Sequence, residues 1–200
     1  MAIDIPQTKV GRASWYASHF PRIKHSNLLK IATTPERIVM DDNERTVAIM
    51  AIVKDGIKSK EELWPLLSLV KDENDYPIIS GTKDSKENNA LLRGYAAIAI
   101  AKYINKFINY SDTLAKTSPG YFLERREALK IKDEFSNTLK QILNSVASDP
   151  IFIPQDKNIS TLYFTQFLEA LYLIDKESAN PIIDVFSSEE EIKRHIEHLI

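Results

Sequence analysis

The sequence predicts an all-α protein, a helical bundle built around a long antiparallel helix hairpin, with little or no β-structure. Three observations support this prediction. Apolar residues recur at helical spacing in several long segments, helix-capping sequences precede most of these segments, and the chain holds only 5 glycines in 200 residues. Strand-rich folds need a turn about every 8–12 residues, and so few glycines provide few such turns.

The composition predicts one packed domain that spans residues 1–200. The chain is 44% hydrophobic and 27% charged, which is typical of a globular domain of this length. Its first part is harder to interpret. The aromatic residues Trp15, Tyr16 and Phe20 form a cluster that stops at Pro21, and residues 1–34 are a candidate extended or irregular N-terminal arm.

Charge and hydropathy exclude two classes of partner. The net charge is −2 and the pI is about 6.1, so no overall field draws nucleic acid to the protein. The densest basic run, residues 125–132, is interleaved with acidic residues, which cancels its potential. The longest nearly uncharged stretch, residues 94–101, is far shorter than the ~20 residues of a membrane helix. We expect no nucleic-acid and no membrane partner.

The first residues resemble no signal peptide, so a cytoplasmic location is expected, or the virion if the chain derives from a phage.

The apolar run at residues 47–53 fits either a buried strand or a helix, because periodicity cannot separate the two over so short a stretch. The flanking residues favour a helix. Asp41 and Glu44 have the spacing of a capping box, and Gly56 has the place of the residue that follows a helix C-terminus.

The next segment begins with a second capping pattern. Ser59 and Glu62 have the spacing of a capping box, and Pro65 is expected to bend the following helix or to shift its start. The polar residues 71–88 are interpreted as a long loop.

Two long amphipathic segments predict the hairpin. The first has its apolar stripe at residues 92–108, and the second begins at Ser118-Pro119 and ends at Asp149-Pro150. Two such helices with a short connection pack as an antiparallel pair. The predicted core comprises Leu92, Ala96, Ala99, Tyr103, Phe135, Leu139, Ile142, Phe167 and Leu171.

A third strong helix, capped by Ser160, is interrupted by Pro181 further along the chain. The apolar surface of residues 161–174 exceeds one helix face, because Tyr163 and Tyr172 lie off the main stripe. The segment is interpreted either as the central helix of the core, which we favour, or as an exposed stripe that binds a partner.

No cofactor or metal is expected. The chain has no cysteine, which excludes thiolate catalysis and cysteine-based metal sites. Glu191, His195 and His198 lie on one helix face at a spacing that can ligate a metal, but no second ligand cluster completes the set. We interpret them as helix-end residues that complement the dipole. The sequence also lacks a phosphate-binding glycine loop and a nucleophile elbow, so no catalytic residue is assigned.

Residues 88–147 carry a resemblance to a known family. The segments NNALLRGYAAIAIAKYINKF and LERREALKIKDEFSNTLKQILNSV resemble the paired helices of adaptor (head–tail connector) proteins of tailed bacteriophages. Those proteins similarly place a Leu-Leu-Arg start and an Ala/Ile-rich helix before a charged second helix. The resemblance covers about a third of the chain, and no functional residue carries over. It implies a ring-forming, non-enzymatic assembly protein beneath a portal.

The sequence therefore predicts a non-enzymatic protein that binds other proteins, with homo-oligomer formation included, most simply a structural or assembly component. The candidate interface residues are Tyr163, Tyr172, Trp15, Tyr16 and Phe20. The alternatives are a helical binding or inhibitor module, such as a toxin-immunity protein, and an enzyme whose catalytic residues are dispersed along the chain. Self-association distinguishes an assembly protein from an inhibitor, because rings follow symmetry.

Overall fold

A computed structural model describes residues 24–33, 42–71, 83–117, 122–147, 157–186 and 194. Within these ranges the chain is helical and contains no strand, so the all-α prediction is confirmed. The helices are α1 (His25–Thr33), α2 (Asp42–Asp55), α3 (Leu63–Lys71), α4 (Lys83–Thr117), α5 (Phe122–Ala147), α6 (Lys157–Ile174) and α7 (Lys176–Phe186), with a 3-10 turn at Lys60–Glu62 before α3.

The chain divides into two compact units, Met1–Ala99 and Ile100–Ile200, and helix α4 runs through the boundary between them. We refer to them as unit 1 and unit 2. The single domain expected from the length of the chain stays a prediction.

Unit 1 has an apolar core formed by α1, α2, α3 and the first part of α4. Helix α1 packs closely against α2, and α3 contacts the 3-10 turn and α1. Its buried side chains include Leu28, Ala32, Val47, Ala48, Ile49, Ile52, Leu66, Val70, Leu92 and Ala96. Residues 47–53 lie inside α2, so the favoured helical interpretation is confirmed. They are buried on nearly every side of the helix, which explains why the run has no visible period.

Helix α2 ends as its sequence predicts. Gly56 has a φ of +75°, and its backbone N–H donates to the carbonyl of Ile52 at 2.8 Å. This left-handed conformation favours glycine after a helix C-terminus. The capping box predicted from Ser59 and Glu62 before α3 is not formed. The extended Ser59 makes no side-chain capping bond, and the carboxylate of Glu62 instead accepts the backbone N–H of Lys58 at 2.8 Å.

Several other boundaries differ from the prediction. Residues 25–33 of the predicted irregular arm form α1, and α4 begins at Lys83, inside the predicted loop at 71–88. Helix α6 begins at Lys157, so Ser160 lies within it and is not its cap. Pro181 lies inside α7 and does not interrupt it. A proline there removes one backbone hydrogen bond, which the burial of Ala179 and Ile183 in unit 2 offsets.

Unit 2 is built from the second part of α4 and from α5, α6 and α7. Helix α6 packs against α5 and α7, and Asp175 alone separates α6 from α7. Its buried side chains include Ile104, Ala128, Phe135, Leu139, Leu143, Phe167, Leu168, Leu171, Ile174 and Ile183. Of the predicted core, Tyr103 and Ile142 are only half-buried, and the others are buried in their respective units. The last turns of α4 and the first of α5 meet in an ion pair between Asp112 and Arg125. Antiparallel pairing along the whole length of these helices stays a prediction.

Candidate functional site

Two arginines of unit 1 lie against the C-terminal ends of neighbouring helices. Arg45 of α2 is only 1% exposed, and its Nε donates to the carbonyl of Ala32, in the last turn of α1, at 3.3 Å. Helix-end carbonyls lack intrahelical donors and carry the negative end of the dipole. The arginine therefore stabilises the end of α1.

Arg93 performs the same task for α3. Its Nε and Nη2 both donate to the carbonyl of Val70, at 3.1 and 2.8 Å. This contact accounts for the one charged residue in the apolar run at residues 91–101. Both arginines are structural residues that join one helix to the end of another.

A histidine–carboxylate pair links α1 to the turn before α3. The imidazole Nε2 of His25 lies 3.0 Å from the carboxylate of Glu62, and both side chains are largely buried. The other ring nitrogen, Nδ1, is buried with no hydrogen-bond partner among the described residues. A carboxylate in this position orients an imidazole ring. Within the described ranges, no group of three or more His, Asp or Glu residues could hold a metal ion.

The junction between α6 and α7 is the polar centre of unit 2. The carboxylate of Asp175 accepts the backbone N–H of Ser178 at 3.2 Å and the hydroxyl of Ser136 at 2.8 Å, and Lys140 Nζ lies 3.9 Å away. Burial acts to raise the pKa of Asp175, but the hydrogen bonds from Ser178 and Ser136, with the charge of Lys140, outweigh it and hold this pKa below 3.8. Asp175 therefore caps α7 and ties it to α5.

The end of α6 carries two further contacts. Asn105 Nδ2 of α4 donates to the carbonyl of Leu173 at 2.7 Å, which supplies a donor to the last turn of α6. Lys176 Nζ lies 5.1 Å from the ring centre of Tyr172, a cation–π distance. Tyr172, a predicted interface residue, is half-buried, and the ammonium group of Lys176 lies over its ring.

The middle of α6 is buried on every side. Residues 166–171 are buried without a break, so the core interpretation is confirmed for this part of the segment. Two of these residues are polar, Gln166 and Glu169. Burial raises the pKa of Glu169 to about 7. The sequence analysis did not single out either residue, since a polar residue between apolar neighbours on a helix usually faces solvent.

Among the described residues of unit 2, the most exposed large apolar side chains lie at the end where α4 stops and α5 begins. Tyr110 is 59% exposed and Leu123 is 76% exposed. Each lies within one turn of the ion pair between Asp112 and Arg125. We call residues 110–113 and 123–127 the α4–α5 tip. Neither residue is among those predicted from the sequence, although Leu123 lies off the apolar stripe of α5 and could have been recognised by that position.

The remaining predicted residues lie outside the described part of the chain. They are Trp15, Tyr16, Phe20, Glu191, His195, His198 and the side chain of Tyr163.

Among the described helices, none is long and apolar enough to cross a membrane. No family model, curated protein or solved structure matches this chain.

Proposed function

We propose that this chain is a non-enzymatic assembly protein that associates with proteins, including further copies of itself, through the α4–α5 tip. The observation that carries the proposal is the exposure of Tyr110 and Leu123 at one end of unit 2. Both lie in residues 88–147, the part of the chain that resembles the paired helices of phage adaptor proteins.

The shape of the tip supports an interface. The five consecutive residues from Leu123 to Glu127 are all exposed, and five residues cover every face of a helix. This stretch of α5 therefore has no buried face of its own, unlike the segment from Ala128 onward. A partner that packs there removes the Leu123 side chain from water, a favourable change of about 1.5–3 kcal/mol for complete burial.

The charges around the tip suit a protein surface better than a polyanion. Glu124 and Glu127 flank Arg125 and Arg126, so the tip has no net charge in this stretch. Tyrosine and arginine are enriched among the residues that contribute most to binding. Tyr110 and Arg126 are accordingly the residues expected to matter most beside Leu123.

The proposal is tested by size-exclusion chromatography with light scattering over a wide range of protein concentration. We expect the wild type to form oligomers as concentration rises, and the variant with both Tyr110→Ser and Leu123→Ser to remain monomeric with an unchanged helical signal. Trp64→Ser is the matched control, because Trp64 is equally exposed, at 63%, but lies in unit 1. A variant that associates as strongly as the wild type contradicts the proposal.

A second pair of substitutions tests the interface expected from the sequence alone. Changing Tyr163 and Tyr172 to Ser should weaken association if they belong to the contact surface. Because Tyr172 is half-buried under Lys176, loss of the helical signal in this variant would instead assign it to the core. A wild type that stays monomeric but binds a foreign protein through the tip would favour an inhibitor over an assembly component.

A further inference from the structure

Two buried polar side chains lie one helical turn apart in α6. Gln166 and Glu169 are three residues apart, and side chains at this spacing are neighbours, with Cβ atoms about 5–6 Å apart. Both belong to the stretch that is buried on every side, and Glu169 is only 2% exposed. The amide oxygen of Gln166, Oε1, is buried with no hydrogen-bond donor among the described residues. A buried acceptor without a donor is costly, so this pair needs a physical explanation.

We propose that Glu169 is protonated in the folded protein near neutral pH and donates its carboxyl hydrogen to Gln166 Oε1, so that the packing of α6 in unit 2 responds to pH. An ionised carboxylate only accepts hydrogen bonds, whereas a protonated carboxyl has an O–H donor. One proton thus removes the charge from the core and satisfies the amide oxygen. The inference is independent of the α4–α5 tip.

The charges on the neighbouring helices do not account for this state. Helix α6 packs against α5 and α7 and is bonded to α4 through Asn105. The titratable side chains of these elements in the described part of unit 2 that are not fully exposed are Lys102, Tyr103 and Asp112 on α4, Lys132 and Lys140 on α5, and Asp175 at the junction. Lys176 and Glu177 at the start of α7 are exposed. Burial, and not one of these charges, is what raises the pKa of Glu169. Lys140 is already directed at Asp175.

The direction of the pH effect follows from linkage. The pKa of Glu169 is about 7 in the folded state and near 4.5 when the chain is unfolded. The stabilising effect of the neutral carboxyl is complete below the unfolded value and is lost as pH rises toward 7. Within this window, the unfolding equilibrium constant should rise by up to about tenfold for each pH unit.

The experiment measures urea unfolding of the full chain from pH 5 to pH 8. We expect the wild-type constant to rise with pH as stated, and Glu169→Gln to remove that dependence because an amide is neutral and keeps an N–H donor. Glu134→Gln is the control, because its carboxyl is 68% exposed and it should retain the wild-type profile. A flat wild-type profile, or an unchanged slope in Glu169→Gln, overturns the inference.

A double-mutant cycle tests the hydrogen bond itself. We expect Gln166→Met to change the unfolding constant by at least about twofold more in the Glu169→Gln background than in the Glu169→Met background. In the Glu169→Met background, residue 169 has no donor for the Gln166 amide oxygen. Equal shifts in the two backgrounds would contradict the hydrogen bond.

If a substitution prevents folding, infrared spectroscopy of the wild type replaces the mutant cycle. We expect the stretching band of a protonated carboxyl at pH 6 that disappears by pH 8, and absence of that band overturns the inference.

Discussion

The two units stabilise their buried polar groups in opposite ways. Unit 1 places cations against the carbonyl ends of helices, as Arg45 does for α1 and Arg93 for α3. Unit 2 places a carboxylate at the N–H end of a helix, where Asp175 caps α7. Both arrangements complement the helix dipole. Glu169 follows neither rule, because it lies in the middle of α6.

The two arginines of unit 1 differ from the acids of unit 2 in their response to pH. Arginine keeps its charge at any pH at which a protein is folded. The acids of unit 2 do titrate, and their pKa values are shifted in opposite directions, downward for Asp175 and upward for Glu169. A helix end therefore stabilises a buried charge, whereas the middle of a buried helix favours the neutral form of an acid.

The largest expected effect is on the apolar cores. Phe135→Ala in unit 2 should lower the free energy of unfolding by about 3–5 kcal/mol and Leu66→Ala in unit 1 by about 2–5 kcal/mol, since both side chains are fully buried. Urea unfolding followed by circular dichroism measures both values. An unchanged midpoint for Phe135→Ala would show that the stripe of α5 faces the other way.

The same two variants test the predicted single domain. If units 1 and 2 unfold together, each substitution shifts one common transition. Two transitions, of which each variant shifts only one, would show that the units are separate domains.

A smaller effect is expected from the arginines of unit 1. Arg93→Met removes two donors from the Val70 carbonyl and should cost about 1.5–3 kcal/mol, the range for hydrogen bonds to charged groups. The exposed Arg126 provides the control, because Arg126→Met should change stability by less than about 0.5 kcal/mol. Equal effects of the two substitutions would remove the structural role of Arg93.

A smaller loss of stability is expected when Asp175, which caps α7 in unit 2, is replaced. Asp175→Ala should cost about 0.5–2 kcal/mol at pH 7, as for other N-cap residues. The lowered pKa of Asp175 means that its contribution is present above pH 3.8 and is lost as pH falls through the folded value. Stability curves of wild type and variant should therefore approach each other as the pH falls below 3.8. Curves that stay a constant distance apart throughout that acidic range would contradict this assignment.

The smallest effect is expected at the exposed aromatic residue of unit 1. Trp64→Ala should change the free energy of unfolding by less than about 0.5 kcal/mol, because most of the side chain is in water. A loss above about 1 kcal/mol, measured by urea unfolding, would show that Trp64 is covered by another part of the chain or by a second copy.

Features that depend on residues close together in the chain could be predicted from the sequence alone. The helical class, the turn at Gly56 and the buried side of Phe135 all follow from local spacing and backbone preference. These features could be predicted because the residues that cause them lie within one or two turns of each other. The helical continuity through Pro181 could not, because packing in unit 2 outweighs the local preference of proline.

The partners of the polar groups depend on the packing of distant helices. Arg93 meets a carbonyl 23 residues earlier in the chain, and Ser136 meets a carboxylate 39 residues later. No local pattern encodes such pairs, since they form only when distant helices pack. Burial also depends on every neighbouring helix. Packing therefore leaves the Leu123 side chain in water and places the Glu169 carboxyl in the core, where its neutral form is favoured.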